Sequence, residues 1–305
     1  MFRSISSSVL ACALIILFTL NAYAYNKPLV FVSIVPQKYF VQQIVQDLVD
    51  VRVMVQPGAS PATYEPKPRQ MVDLSKSKAY FAIGVPFENA WLKKIAAANP
   101  KMKVVHTDQG IRKIPMATRL SPGKAAEHSG EGQRRAEDHH GHSGLDPHIW
   151  LSPTLVKTQT RIILTVLQEI DPSHRSIYES NYNQFVASID ALDAQLKTIF
   201  AGSAGHRFMV FHPAWGYFAD AYGLEQIPIE IDGKNPKPAQ LKATIELARE
   251  KGIQIIFVQP QFSKKSAELI AREIGGQVAV ADPLAEDWPA NLHDMAGKFK
   301  AALRE

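Results

Sequence analysis

The chain has 305 residues, with 34 Lys and Arg against 29 Asp and Glu, a net charge of +5 and a single Cys. It is 46% hydrophobic and 21% charged, ordinary values for a folded globular protein, so a disordered or fibrous chain is excluded. One Cys rules out an intrachain disulfide and a thiolate zinc cluster, and a small net charge spread along the chain gives no footing for nucleic-acid binding.

The first 24 residues read as a cleavable signal peptide. Arg3 supplies the positive start, residues 9–20 an apolar core, and Ala22-Tyr23-Ala24 the small-x-small pattern for cleavage. That core is shorter than the roughly 20 apolar residues that span a bilayer. Cys12 lies at the start of the core rather than after it, the wrong place for lipid attachment. The expectation is a periplasmic chain that begins at Tyr25, contains no Cys and is not embedded in the membrane.

Four short apolar runs follow, at 29–35, 51–55, 80–84 and 103–106, and read as strands. Helical stretches at 39–48, 68–77 and 87–98 lie between them. Strands rich in Val, Ile and Phe that alternate with helices indicate a parallel sheet covered on both faces. The segment 117–145 breaks the rhythm: it is polar and Gly-containing, and it carries His128, His139, His140 and His142. It reads as a mobile loop inserted in the first lobe. A helix follows from Ser152-Pro153-Thr154 to about Ile170, and Asp171-Pro172-Ser173 breaks it. The run 174–200 then has no Pro or Gly, and at about 1.5 Å per residue is long enough to cross a domain. Strands at 208–211, 227–231, 253–258 and 278–281, with helices at 214–222, 238–251, 263–274 and 289–303, repeat the opening pattern.

The fold class is therefore α/β, with four βα units in each half and a long helix holding two lobes at nearly fixed separation. The expected division is a signal peptide (1–24), an N-terminal lobe (25–172), a linking helix (173–201) and a C-terminal lobe (202–305).

Ligands of open parallel sheets bind beyond the carboxyl ends of the strands. Gln56-Pro57-Gly58-Ala59-Ser60-Pro61-Ala62-Thr63-Tyr64-Glu65-Pro66 follows the second strand, and Asp146-Pro147-His148-Ile149-Trp150 follows the loop. His212-Pro213-Ala214-Trp215 and Asp282-Pro283-Leu284 follow the fifth and eighth strands. A lone His at a strand end is more often a hydrogen-bonded surface residue, and Asp-Pro is a common turn opener. Three such residues, each beside a backbone-restricting Pro, point instead to a metal site, and a nitrogen-plus-carboxylate set suits Zn²⁺. Phosphate-binding, dinucleotide-binding and hydrolase motifs are missing from the sequence.

At these motifs the chain resembles the zinc/manganese solute-binding proteins of ABC importers, within their high-affinity zinc-uptake branch. The resemblance runs from about Leu29 to the C-terminus, with the four motifs in the family's order. It implies two (β/α)₄ lobes, a rigid linking helix and a metal held between the lobes. His148, His212 and Asp282 match the family's metal ligands. Ala62 stands where the family carries a His ligand and has no donor atom, while Gln259 replaces a frequent Glu. The histidine-bearing loop looks like that of zinc-importing members, with auxiliary metal sites at His128, His139, His140 and His142. His212 stands where manganese members tend to carry Glu, so Zn²⁺ is expected over Mn²⁺.

The implied function is capture of Zn²⁺ outside the cytoplasm and delivery to the permease of an ABC importer, by a monomer that is not an enzyme and binds no nucleic acid. Two alternatives have different consequences. Three protein ligands with an open fourth position would suit a zinc-dependent hydrolase. An adhesin of the same fold could retain a weakened metal site, which Ala62 would produce.

Overall fold

A computed structural model describes residues 27–117, 144–231 and 234–303. The signal-peptide segment, all but the ends of the 117–145 loop and the loop's four histidines lie outside the described residues.

The first lobe runs β1 (Leu29–Val32), α1 (Val35–Val45), β2 (Asp50–Val53), α2 (Pro68–Leu74), β3 (Ala79–Ala82), α3 (Pro86–Ala98) and β4 (Lys103–His106). A short 3₁₀ turn at Ile149–Leu151 leads into α4 (Pro153–Ile170), and another at Pro172–His174 into α5 (Arg175–Ile199). The second lobe runs β5 (Arg207–Val210), α6 (Gly216–Ala221), β6 (Glu225–Pro228), α7 (Pro238–Glu250), β7 (Ile255–Val258), α8 (Lys265–Ile274), β8 (Gln277–Val280) and α9 (Trp288–Ala302).

Each lobe holds a four-stranded parallel sheet, in the orders β2-β1-β3-β4 and β6-β5-β7-β8. In such an order the chain leaves the first strand in one direction and returns on its other side. The crevice at that reversal, beyond β1/β3 in one lobe and β5/β7 in the other, is where ligands settle.

Helix starts follow the sequence closely. Proline sits in the first turn of α1, α2, α3, α4, α7 and α9, where its missing N–H breaks no helical bond. Helix α1 nevertheless begins four residues before the expected position. The Gln37 side chain reaches back to accept from the N–H groups of Ser33 (3.0 Å) and Ile34 (3.3 Å), which ends the strand and opens the helix at once.

Period-two alternation in β5 divides the second lobe's apolar residues. Phe208 and Val210 join the large core that runs through both lobes, with Trp215, Phe218 and Phe299 around them. Met209 and Phe211 face a second cluster with Ile229, Ile256, Val258 and Ile270, under α7 and α8.

Helix α5 has 25 residues, roughly 37 Å at about 1.5 Å per residue. It packs on α1 and α4 of the first lobe and on α9 of the second. Where α1, α5 and α9 meet, Phe40 stands edge-on to Trp288 at 5.2 Å, and Tyr39 edge-on to Phe185 at 5.9 Å. Two indoles fasten the lobes to each other. Trp150 Nε1 donates to the Pro283 carbonyl (2.7 Å), and Trp288 Nε1 donates to the Trp150 carbonyl (2.7 Å). Both rings are buried, so each bond contributes about 1 kcal/mol net, and losing a partner would cost more.

Candidate metal centre

His212 lies two residues beyond β5, and the strand registers decide its neighbours. Val210 pairs with Pro228 on β6 and with Phe257 on β7. Carrying those registers two residues further places Glu230 and Gln259 on either side of His212. Main-chain bonds continue that far, from Ile229 N to the Val210 carbonyl (2.9 Å) and from Glu230 N to the Phe211 carbonyl (3.0 Å). Gln259 grips the His212 backbone from the other side: its Oε1 accepts from His212 N (3.2 Å) and its Nε2 donates to the His212 carbonyl (2.6 Å). The His212 ring stacks on Phe262 at 5.1 Å, and its Nδ1 meets Glu230 Oε1 at 2.7 Å.

His148 arrives by a different route. The ends of the 117–145 loop are joined at their base. Pro115 and Leu145 form an antiparallel bridge, Met116 N donates to the Gly144 carbonyl (3.0 Å), and Asp146 N donates to the Ile114 carbonyl (2.8 Å). Asp146 is fully buried. Its Oδ1 accepts from His148 N (2.8 Å) and meets His148 Nδ1 at 2.7 Å. From the other lobe Tyr217 Oη donates to the Asp146 carbonyl (2.8 Å) and accepts from Ile114 N (3.1 Å). Burial pushes the Tyr217 phenol up to about 12, partly opposed by the Ile114 bond. It therefore stays protonated and able to donate across physiological pH.

The two imidazoles thus come from different lobes and meet edge to face, 5.2 Å between ring centres. Each has Nδ1 committed to a buried carboxylate, which assigns the proton to Nδ1 and leaves Nε2 as the donor atom. A carboxylate behind a ligating His fixes the ring and raises its basicity. Asp146 Oδ2 and Glu230 Oε2 are buried and accept no hydrogen bond among the described residues. Two carboxylates with unmatched oxygens beside paired imidazoles form a negative environment that a cation offsets.

A cavity of about 70 Å³ lies against this pair. Ala62, Met116, Trp150, Phe262 and Leu284 border it with His148 and His212. Ala62 thus faces the same space as the two histidines. Asp282 borders a separate cavity of about 140 Å³ together with Gln56 and Glu286, and Gln261 and Leu284 lie on the walls of both. Asp282 Oδ1 accepts from Leu284 N (2.9 Å) and Gln261 Nε2 (3.4 Å). Among the described residues, no three His, Cys, Asp or Glu side chains converge closely enough to hold a metal. His148 and His212 are brought together, and Asp282 borders the neighbouring cavity.

Sequence reasoning assigned no role to Asp146 and Glu230. Asp146 stood in the quoted Asp-Pro-His motif. Glu230 stood as a lone acid within the apolar run 227–231, a signal that a charge was wanted inside.

Comparison with known proteins shows the family and the fold. The sequence model of the family "Zinc-uptake complex component A periplasmic" (ZnuA) matches residues 30–302. A crystal structure of ZnuA superposes with a TM-score of 0.80 at 42% identity, covering 91% of this chain and 99% of that one. A ZnuA deletion mutant with zinc bound gives a TM-score of 0.80 at 42% identity, over 92% of this chain and 99% of that one. The high-affinity zinc uptake system protein ZnuA of Paracoccus denitrificans is 31% identical over 267 residues, 80% of this chain and 79% of its own. The chain is a member of the periplasmic zinc-uptake component A family of ABC-transporter solute-binding proteins.

Proposed function

We propose that the protein captures Zn²⁺ in the cleft between its lobes, through Nε2 of His148 and His212, and passes it to an ABC importer permease. The observation that carries this reading is the pair of imidazoles from opposite lobes, each backed by a buried carboxylate. Zinc accepts imidazole nitrogen and carboxylate oxygen, and it prefers four ligands. Asp282 is the third protein ligand in this reading. It enters when metal draws Leu284 and Gln261 aside, since these two residues stand between the cavities. Ala62 offers no donor, so water or a loop histidine, His140 or His142, completes the shell.

The chain performs no chemistry on its cargo. Its work is to lower the free energy of bound zinc and then surrender it. A site divided between lobes suits that purpose, because a small relative movement separates the two imidazoles. Residues 1–24 direct export and are removed on the way, and the processed chain acts as a monomer in the periplasm. The four loop histidines bind further zinc weakly, because ordering a Gly-containing segment costs conformational entropy.

The test is a chelator-competition titration of the purified protein with Zn²⁺ and Mn²⁺. One tight zinc site, lost in His212→Ala and weaker for Mn²⁺, supports the reading. His212→Ala binding zinc as tightly as the parent refutes the ligand assignment. Metal-dependent, chelator-sensitive turnover of ester or peptide substrates would overturn the assignment as a carrier.

A further inference from the structure

The cavity beside the two imidazoles has a donor that the zinc reading leaves unused. Met116 borders it, on the wall shared with His148, His212 and Ala62. Its position is fixed by the chain. Met116 N donates to the Gly144 carbonyl (3.0 Å), next to the Pro115–Leu145 bridge, and the Ile114 carbonyl holds Asp146 N (2.8 Å), two residues from His148. The clamp that delivers His148 to the cleft therefore delivers Met116 with it.

A thioether is a soft, neutral donor. It is a poor ligand for Zn²⁺, whereas thioether and imidazole together suit Cu(I). Zinc prefers four ligands and accepts a carboxylate among them, and the Asp282 carboxylate lies in the adjoining cavity. Cu(I) is content with fewer and softer donors. The remaining walls are mostly apolar, with Pro61, Val85, Pro86, Trp150, Phe262 and Leu284, and their polar members Ser60, Gln259 and Gln261 are neutral and offer no anionic ligand. Asp146 and Glu230 strengthen imidazole donation toward either metal, so the third donor decides between them.

We propose that the cleft is also a Cu(I) site, with the metal held by Nε2 of His148, Nε2 of His212 and the thioether of Met116. The proposal rests on the two imidazoles assigned above and departs from the zinc reading at the third ligand. Zinc turns toward Asp282 on one side of Leu284, and Cu(I) toward Met116 on the other. A protein built this way takes up Cu(I) whenever zinc is scarce, and Cu(I) occupancy excludes zinc from the same imidazoles.

The experiment is anaerobic competition between the processed protein and a chromophoric Cu(I) chelator such as bicinchoninate. It is run on the parent, Met116→Leu and His212→Ala, each with His128, His139, His140 and His142 changed to Gln to silence the loop. Zinc titrations of the same proteins run in parallel. The expected result is that the parent withdraws Cu(I) from the chelator, that Met116→Leu binds it at least tenfold more weakly with zinc affinity unchanged, and that X-ray absorption detects a sulfur neighbour of copper only in the parent. A parent that takes no Cu(I), a Met116→Leu variant equal to the parent, or a variant weakened equally for both metals would overturn the proposal. The zinc reading fails separately, through unchanged zinc binding by His212→Ala.

Discussion

The two lobes share one topology and use their strand ends in opposite ways. In the second lobe the residues beyond β5, β6 and β7 converge on the cleft: His212, Glu230 and Gln259 form one row across the sheet. In the first lobe the corresponding polar groups close on themselves. Ser33, beyond β1, donates to the buried Glu88 carboxylate and accepts from Tyr80, while Glu88 also accepts from Ile83 N (3.0 Å) and Gly84 N (2.8 Å). Gln37 donates to Thr107 Oγ1 (3.1 Å), beyond β4. The first lobe brings Ala62 and His148 to the cleft on loops instead, with Val85 and Pro86 beyond β3 supplying only apolar wall. A sheet end can thus be a ligand platform or a sealed polar core, and the choice is made by which residues follow the strands.

The largest expected effect comes from breaking the second-lobe row at its centre. His212→Ala removes one of two imidazoles, and zinc affinity should fall by at least about 100-fold in chelator competition. Removing the support behind a ring should cost less. Glu230→Gln and Asp146→Asn keep a hydrogen-bonding partner for Nδ1 but discard the charge, and each should weaken zinc binding by about 10- to 100-fold. A Glu230→Gln protein with parental affinity would show that the carboxylate merely packs there.

Among the described residues, the eight strands and nine α-helices were legible because each carries its own local signal. Apolar runs of four to seven residues marked the strands, and proline marked six of the helix starts. Strand ends were less legible, for a physical reason. The run 51–55 continues two residues past Val53, and Met54 N and Val55 N still bond to the Val32 and Ser33 carbonyls (2.8 and 3.0 Å). The site was half legible. His148 and His212 were found from Pro-flanked positions, but the link from His212 to Glu230 depends on the β5–β6 register, an offset of 18 residues that no local pattern encodes. The placement of Asp282 in the neighbouring cavity likewise depends on how the loops after β7 and β8 settle together.

Ala62 offers a way to sharpen the contrast between lobes. Ala62→His would give the first lobe a second built-in donor facing the cavity, and zinc affinity should rise about tenfold, since a built-in ligand pays less ordering entropy than water or a loop residue. Equal affinities in competition titration would mean that the parent's coordination is already complete. Replacing 118–143 by a short Gly-Ser link is a gentler change, because Met116 and Gly144 are already hydrogen-bonded neighbours. Weak zinc equivalents should disappear in calorimetry and the tight one should persist. Loss of the tight site would make a loop histidine a primary ligand.

The smallest effect probes the sealed end of the first lobe. Burial pushes the Glu88 carboxyl above its ordinary value, with Asp108 adding to the rise and the bonds from Ser33, Ile83 and Gly84 opposing it. Because the folded-state value lies above the unfolded one, Glu88 costs nothing in stability below the unfolded value. Its ionisation costs stability progressively as pH rises through the folded value. The thermal midpoint of Glu88→Gln relative to the parent should therefore rise as pH climbs above the ordinary carboxylate range, about pH 4. A difference that is constant with pH would show that Glu88 titrates as it does in the unfolded chain. Zinc affinity should be unchanged throughout, since Glu88 belongs to the lobe's interior and not to the cleft.

The central claim is that zinc sits between the lobes on the two carboxylate-backed imidazoles. A crystal of the zinc-loaded processed protein, with anomalous difference maps measured on both sides of the zinc absorption edge, tests it most directly. The account predicts one strong zinc peak bonded to Nε2 of His148 and Nε2 of His212, with Asp146 and Glu230 still on the two Nδ1 atoms and the Asp282 carboxylate turned toward the metal. A principal peak that touches only one of these histidines, or that sits on the loop histidines away from the cleft, would contradict it.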